Sequence, residues 1–126
     1  MVEVRSFFGL TAVEDGLIAT GGYNNNEGQV ISSVEVFSFQ DGWIRERRLE
    51  MSSTKFGHCS IIMGSWLYTI GGIVGTSWSD ISNQVEAIDT TSQLSAWIRK
   101  ANMLERRVVR SHLGTHDEAL VGRSFT

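Results

Sequence analysis

The sequence contains the same ordered set of short motifs twice. A glycine doublet occurs at Gly21-Gly22 and again 50 positions later at Gly71-Gly72. A Trp-Ile-Arg triplet begins at Trp43 and again 54 positions later at Trp97. A period of about 50 residues indicates a repeat architecture, in which each unit buries its apolar surface against its neighbours.

The segments between these motifs also align. DGLIATGG in the first unit matches SWLYTIGG in the second, and SSVEVFSF matches NQVEAIDT. His58 and His112 each lie 15 positions after a repeated tryptophan. Each unit therefore contains an apolar strand, Gly-Gly, a loop, a Val-Glu strand, Trp and His. Such a unit, with four short strands, predicts an all-β blade of a β-propeller.

The alignment gives expected strand positions. In the first unit we expect strands at 5–13, 17–20, 33–39 and 43–46, and in the second at 57–63, 66–70, 84–89 and 96–99. The loops after the two glycine doublets, 23–32 and 73–82, are expected to be about ten residues long. A competing interpretation is a helix over 96–113, where apolar residues recur at helical spacing. The repeat favours the strand.

The expected blades occupy about 4–50 and 55–103, and a third begins at about 107–126 without a glycine doublet. The chain thus holds about two and a half blades, whereas a closed propeller needs at least four. We expect an incomplete ring: a fragment, a partial gene product, or a chain that associates with itself through exposed blade faces.

Composition excludes several classes of protein. The 126 residues carry a net charge of −3, which argues against nucleic-acid binding. No run of apolar residues is long enough to cross a membrane as a helix. The single cysteine, Cys59, excludes an internal disulfide, and the N-terminus lacks the pattern of a signal peptide. A cytoplasmic location is the expectation.

The ordered motifs resemble the Kelch repeat family, over almost the whole chain. The family's glycine doublet, Val-Glu strand, tryptophan and inner-strand histidine correspond to Gly21-Gly22 and Gly71-Gly72, Val34-Glu35 and Val85-Glu86, Trp43 and Trp97, and His58 and His112. The chain departs from the pattern at Phe37 and Ile88, where the family has tyrosine. The resemblance implies a Kelch-type propeller acting as a protein-interaction module, such as a ubiquitin-ligase substrate receptor or an actin-associated protein. The alternatives are a fragment of a galactose-oxidase-like or mutarotase-like enzyme acting on carbohydrate, and a non-functional remnant.

The motifs favour structural roles over catalysis. Neither glycine doublet is followed by the Lys-Ser or Lys-Thr of a phosphate-binding loop. His112 and His116 would lie about 13 Å apart on a strand, too far to share a metal ion. We therefore expect no enzyme activity, cofactor or metal. The repeated histidines are expected to hydrogen-bond to backbone groups, and the repeated tryptophans to pack against neighbouring blades.

Partner contacts are expected from loops, since binding residues concentrate in loops on rigid scaffolds. Trp78 follows the second doublet among small polar residues and is the main candidate. Tyr23, beside the first doublet, is a lesser one, and Arg106 and Arg107 form a basic turn. The expected partner is a protein.

Overall fold

The computed structural model describes residues 1–75 and 80–100. Within them, two four-stranded antiparallel sheets follow one another along the chain, each with its strands in sequence order. The strands are β1 (Gly9–Val13), β2 (Gly16–Asn24), β3 (Gln29–Ser38), β4 (Gly42–Arg45), β5 (Cys59–Met63), β6 (Trp66–Ile70), β7 (Val85–Asp89) and β8 (Ile98–Arg99). A 3-10 turn at Arg47–Leu49 follows β4. The predicted all-β class and the partial-propeller arrangement are confirmed.

The inner strand of the first blade is shorter than expected. The sequence predicts a strand over 5–13, but β1 begins at Gly9. Ser6 forms an isolated bridge with Tyr23, and the backbone then turns at Phe7, whose φ is 53°. A left-handed residue interrupts the extended conformation, so the strand restarts two residues later.

The loop after the first glycine doublet is also shorter than expected. The prediction of a ten-residue loop over 23–32 is wrong, because β2 continues to Asn24 and β3 begins at Gln29. The side chain of Asn24 accepts hydrogen bonds from the backbone of Asn26 and Glu27, at 3.0 and 3.1 Å. This Asx-type bonding closes a four-residue turn. The doublet Gly21-Gly22 consequently lies inside β2, at a register shift, and not at a strand end.

The second blade follows its predicted strands closely. The strand over 66–70 is found with those bounds, and β7 begins one residue later than expected. The strand predicted over 57–63 begins only at Cys59, so His58 lies directly before β5 and not within it. The strand predicted over 96–99 is reduced to Ile98–Arg99, which pairs with β7. This pairing makes the alternative helix wrong at residues 98 and 99. The rest of that segment, and the predicted third blade, lie outside the described residues.

The main core lies between the two sheets. The first blade contributes Ile18 and Val34 from its sheet, with Leu49 and Met51 from the connection between blades. The second blade contributes Leu67 and Ile88, with Ile62 and Trp97 partly buried beside them. The indole of Trp97 donates a 3.0 Å hydrogen bond to the carbonyl of Leu49. Burial of apolar side chains between successive sheets is what a stacked repeat requires.

The second glycine doublet lies where two backbone segments approach closely. Gly72 has φ of 91°, and a β-carbon there would lie 2.7 Å from the β-carbon of His58 and 2.9 Å from the carbonyl oxygen of Phe56. Both contacts are shorter than a side chain tolerates. Gly64 also has a positive φ, 60°, but a β-carbon there would meet nothing within 4 Å.

This contrast gives a matched pair of variants. Gly64→Ala is expected to lower the free energy of unfolding by about 1 kcal/mol, the cost of a left-handed conformation. Gly72→Ala carries the same backbone strain and a steric clash, so a loss of about 2–4 kcal/mol is expected. Chemical denaturation of both variants measures the difference. Equal losses would show that the close approach at Gly72 contributes nothing.

Candidate functional site

A buried arginine holds the segment that leads into the first blade. The guanidinium of Arg5 donates hydrogen bonds to the carbonyls of Gly21 and Ser33, at 2.9 and 3.0 Å. It also forms a 2.6 Å ion pair with Glu35 on β3, and neither side chain is accessible to solvent beyond 1%. The N-terminal segment is thereby fixed across β2 and β3.

The second blade repeats this arrangement with a lysine. The ammonium of Lys55 donates to Thr69, at 3.1 Å, and to the carboxylate of Glu86, at 2.7 Å. The hydroxyl of Ser52 donates to the other oxygen of Glu86. Glu35 and Glu86 are the glutamates of the repeated Val-Glu motif, so this motif supplies one buried carboxylate to each blade.

Local hydrogen bonds keep both carboxylates ionised. Burial by itself raises the pKa of Glu35, but the backbone N–H groups of Val2 and Glu3 and the Arg5 guanidinium outweigh it and lower the pKa below the usual value. Burial likewise opposes the ionisation of Glu86, and Lys55 and Ser52 lower its pKa. Both carboxylates are therefore charged at neutral pH.

His58 lies between the blades. Its Nε2 is 2.8 Å from the hydroxyl of Thr20 on β2, so the expected backbone partner is replaced by a side chain. Burial, and then the nearby charge of Lys55, lower the pKa of His58 to about 3. The ring is neutral at physiological pH. Among the described residues, Nδ1 of His58 has no hydrogen-bond partner.

An aromatic group lies at the loop end of the two blades, beside the turn that joins β2 and β3. The rings of Phe7 and Tyr23 each lie 6.4 Å from the ring of Phe56. Phe7 is 66% exposed, whereas Tyr23 is half-buried. We call these three residues the aromatic group.

Hydrogen bonds fix the unusual backbone of Phe7 from both sides. Ser6 and Tyr23 exchange backbone hydrogen bonds of 2.9 and 2.8 Å. The carbonyl of Phe7 accepts a 2.7 Å bond from the N–H of Gly57. A non-glycine residue in the left-handed region persists only when its surroundings impose it, and such residues cluster at functional sites. The fold therefore presents an exposed phenyl ring in a strained position.

A cleft of about 360 Å³ lies along the outer side of the same turn. Polar and apolar atoms contribute about equally to its lining, which consists of Val2, Glu3, Val4, Asn24, Asn26, Glu27, Glu35 and Arg45. The hydrogen bonds made by Asn24 fix the turn that forms one wall. The aromatic group and the cleft thus adjoin one rigid hairpin tip.

Of the four predicted contact residues, only Tyr23 is among the described residues. Trp78, Arg106, Arg107 and His112 lie outside them. The structure brings Tyr23 together with Phe7 and Phe56, neither of which the sequence singles out. Trp97 contacts the neighbouring blade through Leu49, and Trp43 contacts Phe37 of its own blade, with ring centres 5.3 Å apart.

The part of the chain that the structure describes was compared with two further kinds of site, a metal-ligand group and a membrane-spanning helix. No three His, Cys, Asp or Glu side chains in residues 1–75 and 80–100 form a group that could hold a metal ion. The same residues include no helix with the length and apolar character needed to span a membrane.

The fold and the repeat define the class of protein: successive four-stranded blades of a partial β-propeller. The chain is similar to Kelch-like protein 23 from Homo sapiens, with 24% identity over 102 residues. This similarity supports a Kelch-repeat relationship. The matched region is 80% of this chain but 17% of the human protein. No protein-family model matches the chain.

Proposed function

We propose that this chain is a protein-interaction module and that it binds its partner at the loop end of the blades. The observation that carries the proposal is the aromatic group of Phe7, Tyr23 and Phe56. Phe7 remains 66% exposed although the backbone is strained to place it there. Exposed aromatic side chains on a rigid support are typical of the residues that dominate protein interfaces.

The two sides of the hairpin tip suggest the chemistry of the partner. The aromatic group offers an apolar surface for a leucine-like or aromatic side chain. The adjoining cleft offers the carboxylates of Glu3 and Glu27 and the amide of Asn26 to hydrogen-bond donors, whereas the amide of Asn24 is buried and bonded within the turn. A partner segment with an apolar side chain next to a basic or amide side chain fits both surfaces.

Two more specific roles are part of this proposal. A substrate receptor for a ubiquitin ligase, or an actin-associated protein, would use the same surface to bind its protein target. Trp78, Arg106 and Arg107 remain proposed partner contacts. The similarity to Kelch-like protein 23 supports a protein-interaction role in general, and no catalytic residue is proposed.

The test uses Phe7→Gly, which removes the ring and relieves the left-handed strain together. Glycine adopts φ of 53° without steric cost, which offsets the lost contact with Phe56. We expect the free energy of unfolding to change by less than about 1 kcal/mol. Partner capture, measured by cross-linking and quantitative mass spectrometry, should fall at least about tenfold.

A matched control tests whether capture depends on this surface or on any exposed apolar side chain. Leu94 is 95% exposed in the turn between β7 and β8, so Leu94→Ser removes an exposed apolar side chain elsewhere. It should retain the captured proteins. Tyr23→Ala should reduce capture as Phe7→Gly does. Unchanged capture by both aromatic variants would place the binding surface elsewhere and overturn the proposal.

A further inference from the structure

In the second blade, a short segment of the chain covers one face of the sheet. The segment is the end of the connection between the blades, and its side chains Leu49 and Met51 are buried in the same core as an apolar row of that sheet. The indole of Trp97, directly before β8, donates a 3.0 Å hydrogen bond to the carbonyl of Leu49. The apolar row consists of Ile62, Leu67 and Ile88, at paired positions across β5, β6 and β7.

A basic residue comes directly before this apolar pair. Arg48 donates a 3.0 Å hydrogen bond to the carbonyl of Ser92, in the turn between β7 and β8. The four residues Arg48-Leu49-Glu50-Met51 thus supply one basic side chain, two apolar side chains and a main-chain carbonyl to the second blade. We call them the connecting segment. They show which chemistry this face of the repeat accepts.

The first blade has the equivalent face, and among the described residues no blade packs on it. Trp43 is paired with Phe37 and belongs to the same repeated Trp-Ile-Arg motif as Trp97. Phe39 extends the face, with its ring 5.5 Å from that of Phe37, and is 86% exposed. We call this surface the apolar face of the first blade. It consists of Ala12, Leu17, Phe37, Phe39 and Trp43.

The turn at the edge of the apolar face has a negative charge. Asp41 is exposed in the turn between β3 and β4, the counterpart of the turn in which Ser92 accepts a hydrogen bond from Arg48. A basic side chain placed as Arg48 is placed in the second blade would therefore meet both the carbonyls of this turn and an opposite charge. Complementary charges of this kind favour one class of partner over others.

We propose that the apolar face of the first blade binds a partner protein through a segment with the chemistry of the connecting segment: a basic residue, an apolar residue, any residue and a second apolar residue. The first apolar residue offers its carbonyl to the indole of Trp43, and the basic residue lies against Asp41. An exposed apolar surface with a polar rim is typical of an interaction site. The apolar face lies at the opposite end of the sheet from the hairpin tip that joins β2 and β3, so this contact is independent of the proposed function.

The test uses a synthetic peptide of residues 45–54, RERRLEMSST, as the probe for the partner segment. It is titrated into the 15N-labelled full chain, and the indole N–H resonance of Trp43 is followed by NMR. Trp43→Phe assigns this resonance. We expect it to shift with a Kd on the order of 1 mM, because the peptide supplies only part of a neighbouring blade. A peptide in which the leucine and the methionine are both serine should cause no shift.

Two substitutions on the chain test the two halves of the contact. Phe39→Ala removes an exposed ring and should raise the Kd of the peptide at least about fivefold. Asp41→Asn should weaken binding at low salt and make it less dependent on salt. Leu94→Ala truncates another exposed apolar residue and should bind the peptide like wild type. Circular dichroism checks that each variant is folded.

The same spectra identify the results that would overturn the proposal. A Trp43 resonance that is unmoved at about 5 mM peptide would show that the apolar face does not bind such a segment. A shift confined to the indole of Trp97 would place the peptide on the second blade instead. A Trp43 resonance that moves with the concentration of the chain alone would show that a second copy covers the face. Phe7→Gly should leave peptide binding unchanged, which separates this surface from the loop end.

Discussion

Replacing Glu35 by alanine is expected to lower the free energy of unfolding by about 3–5 kcal/mol, because it leaves the guanidinium of Arg5 buried without its counter-charge. The Arg5–Glu35 pair is 2.6 Å long and inaccessible to solvent. Glu35 also accepts hydrogen bonds from the backbone of Val2 and Glu3, at 2.6 and 3.1 Å. The N-terminal segment therefore loses its anchors as well. Urea denaturation measures the loss.

A surface ion pair of the same chemistry provides the control. Arg45 and Glu50 are 2.8 Å apart, but their side chains are 41% and 39% exposed. Glu50→Ala is expected to cost less than about 1 kcal/mol, because exposed pairs contribute little. The double variant Arg5→Met with Glu35→Ala should cost less than the sum of its single substitutions, because no charge remains buried alone. Similar losses for Glu35→Ala and Glu50→Ala would contradict the role assigned to burial.

The sequence indicates one partner of each buried ion pair, the glutamate. The repeated Val-Glu motif locates Glu35 and Glu86, but nothing in the motif indicates that these carboxylates are buried. Their cationic partners can be found by spacing. Met1 precedes Arg5 by four positions, and Met51 precedes Lys55 by four. A third Met-to-Arg spacing of this kind, Met103 to Arg107, lies outside the described residues. This spacing is a weak signal, because the cationic residue four positions after the methionine is arginine in the first blade and lysine in the second.

The fold could be predicted because the motifs that specify it are repeated along the sequence. The glycine doublets, the Val-Glu strands and the tryptophans recur in one order, and a repeat specifies a stacked core whatever its exact strand bounds. The bounds themselves depend on local backbone conformation. The left-handed residue at Phe7 shortens β1, and the Asn24 side chain shortens the predicted loop, and neither effect has a period.

The aromatic group illustrates why the candidate site was harder to predict. Tyr23 and Phe56 lie 33 positions apart, and their rings meet only because the two blades pack together. Phe7 lies within the first predicted strand, where the alternation of side chains between the two faces does not single it out as an exposed residue. Its exposure follows from a positive φ, which the sequence does not announce in a residue other than glycine.

Lowering the pH from 8 to 5 is expected to destabilise the chain through His58. Its pKa is about 3 in the folded protein, because burial and Lys55 disfavour the imidazolium, and about 6.5 when unfolded. Below pH 6.5 the unfolded chain binds a proton that the folded chain does not. The free energy of unfolding therefore carries no penalty from His58 above pH 6.5, and it decreases progressively as the pH falls from 6.5 toward 3. The loss approaches about 1.4 kcal/mol per pH unit, or about 2 kcal/mol by pH 5.

The comparison variant comes from the first blade, which has Phe8 where the second has His58. A β-carbon at Gly22 would lie 2.8 Å from that of Phe8, just as one at Gly72 would meet His58. His58→Phe therefore introduces the residue that the first blade has at the equivalent position, and it does not titrate. Urea denaturation at pH 8, 6.5, 5.5 and 5 should give a smaller decrease for this variant by about 2 kcal/mol. The other histidines, His112 and His116, are present in both proteins, so their contribution cancels in the difference. Parallel pH profiles would show that His58 accepts a proton in the folded chain as readily as in the unfolded one, and would contradict its assignment as a neutral residue between the blades.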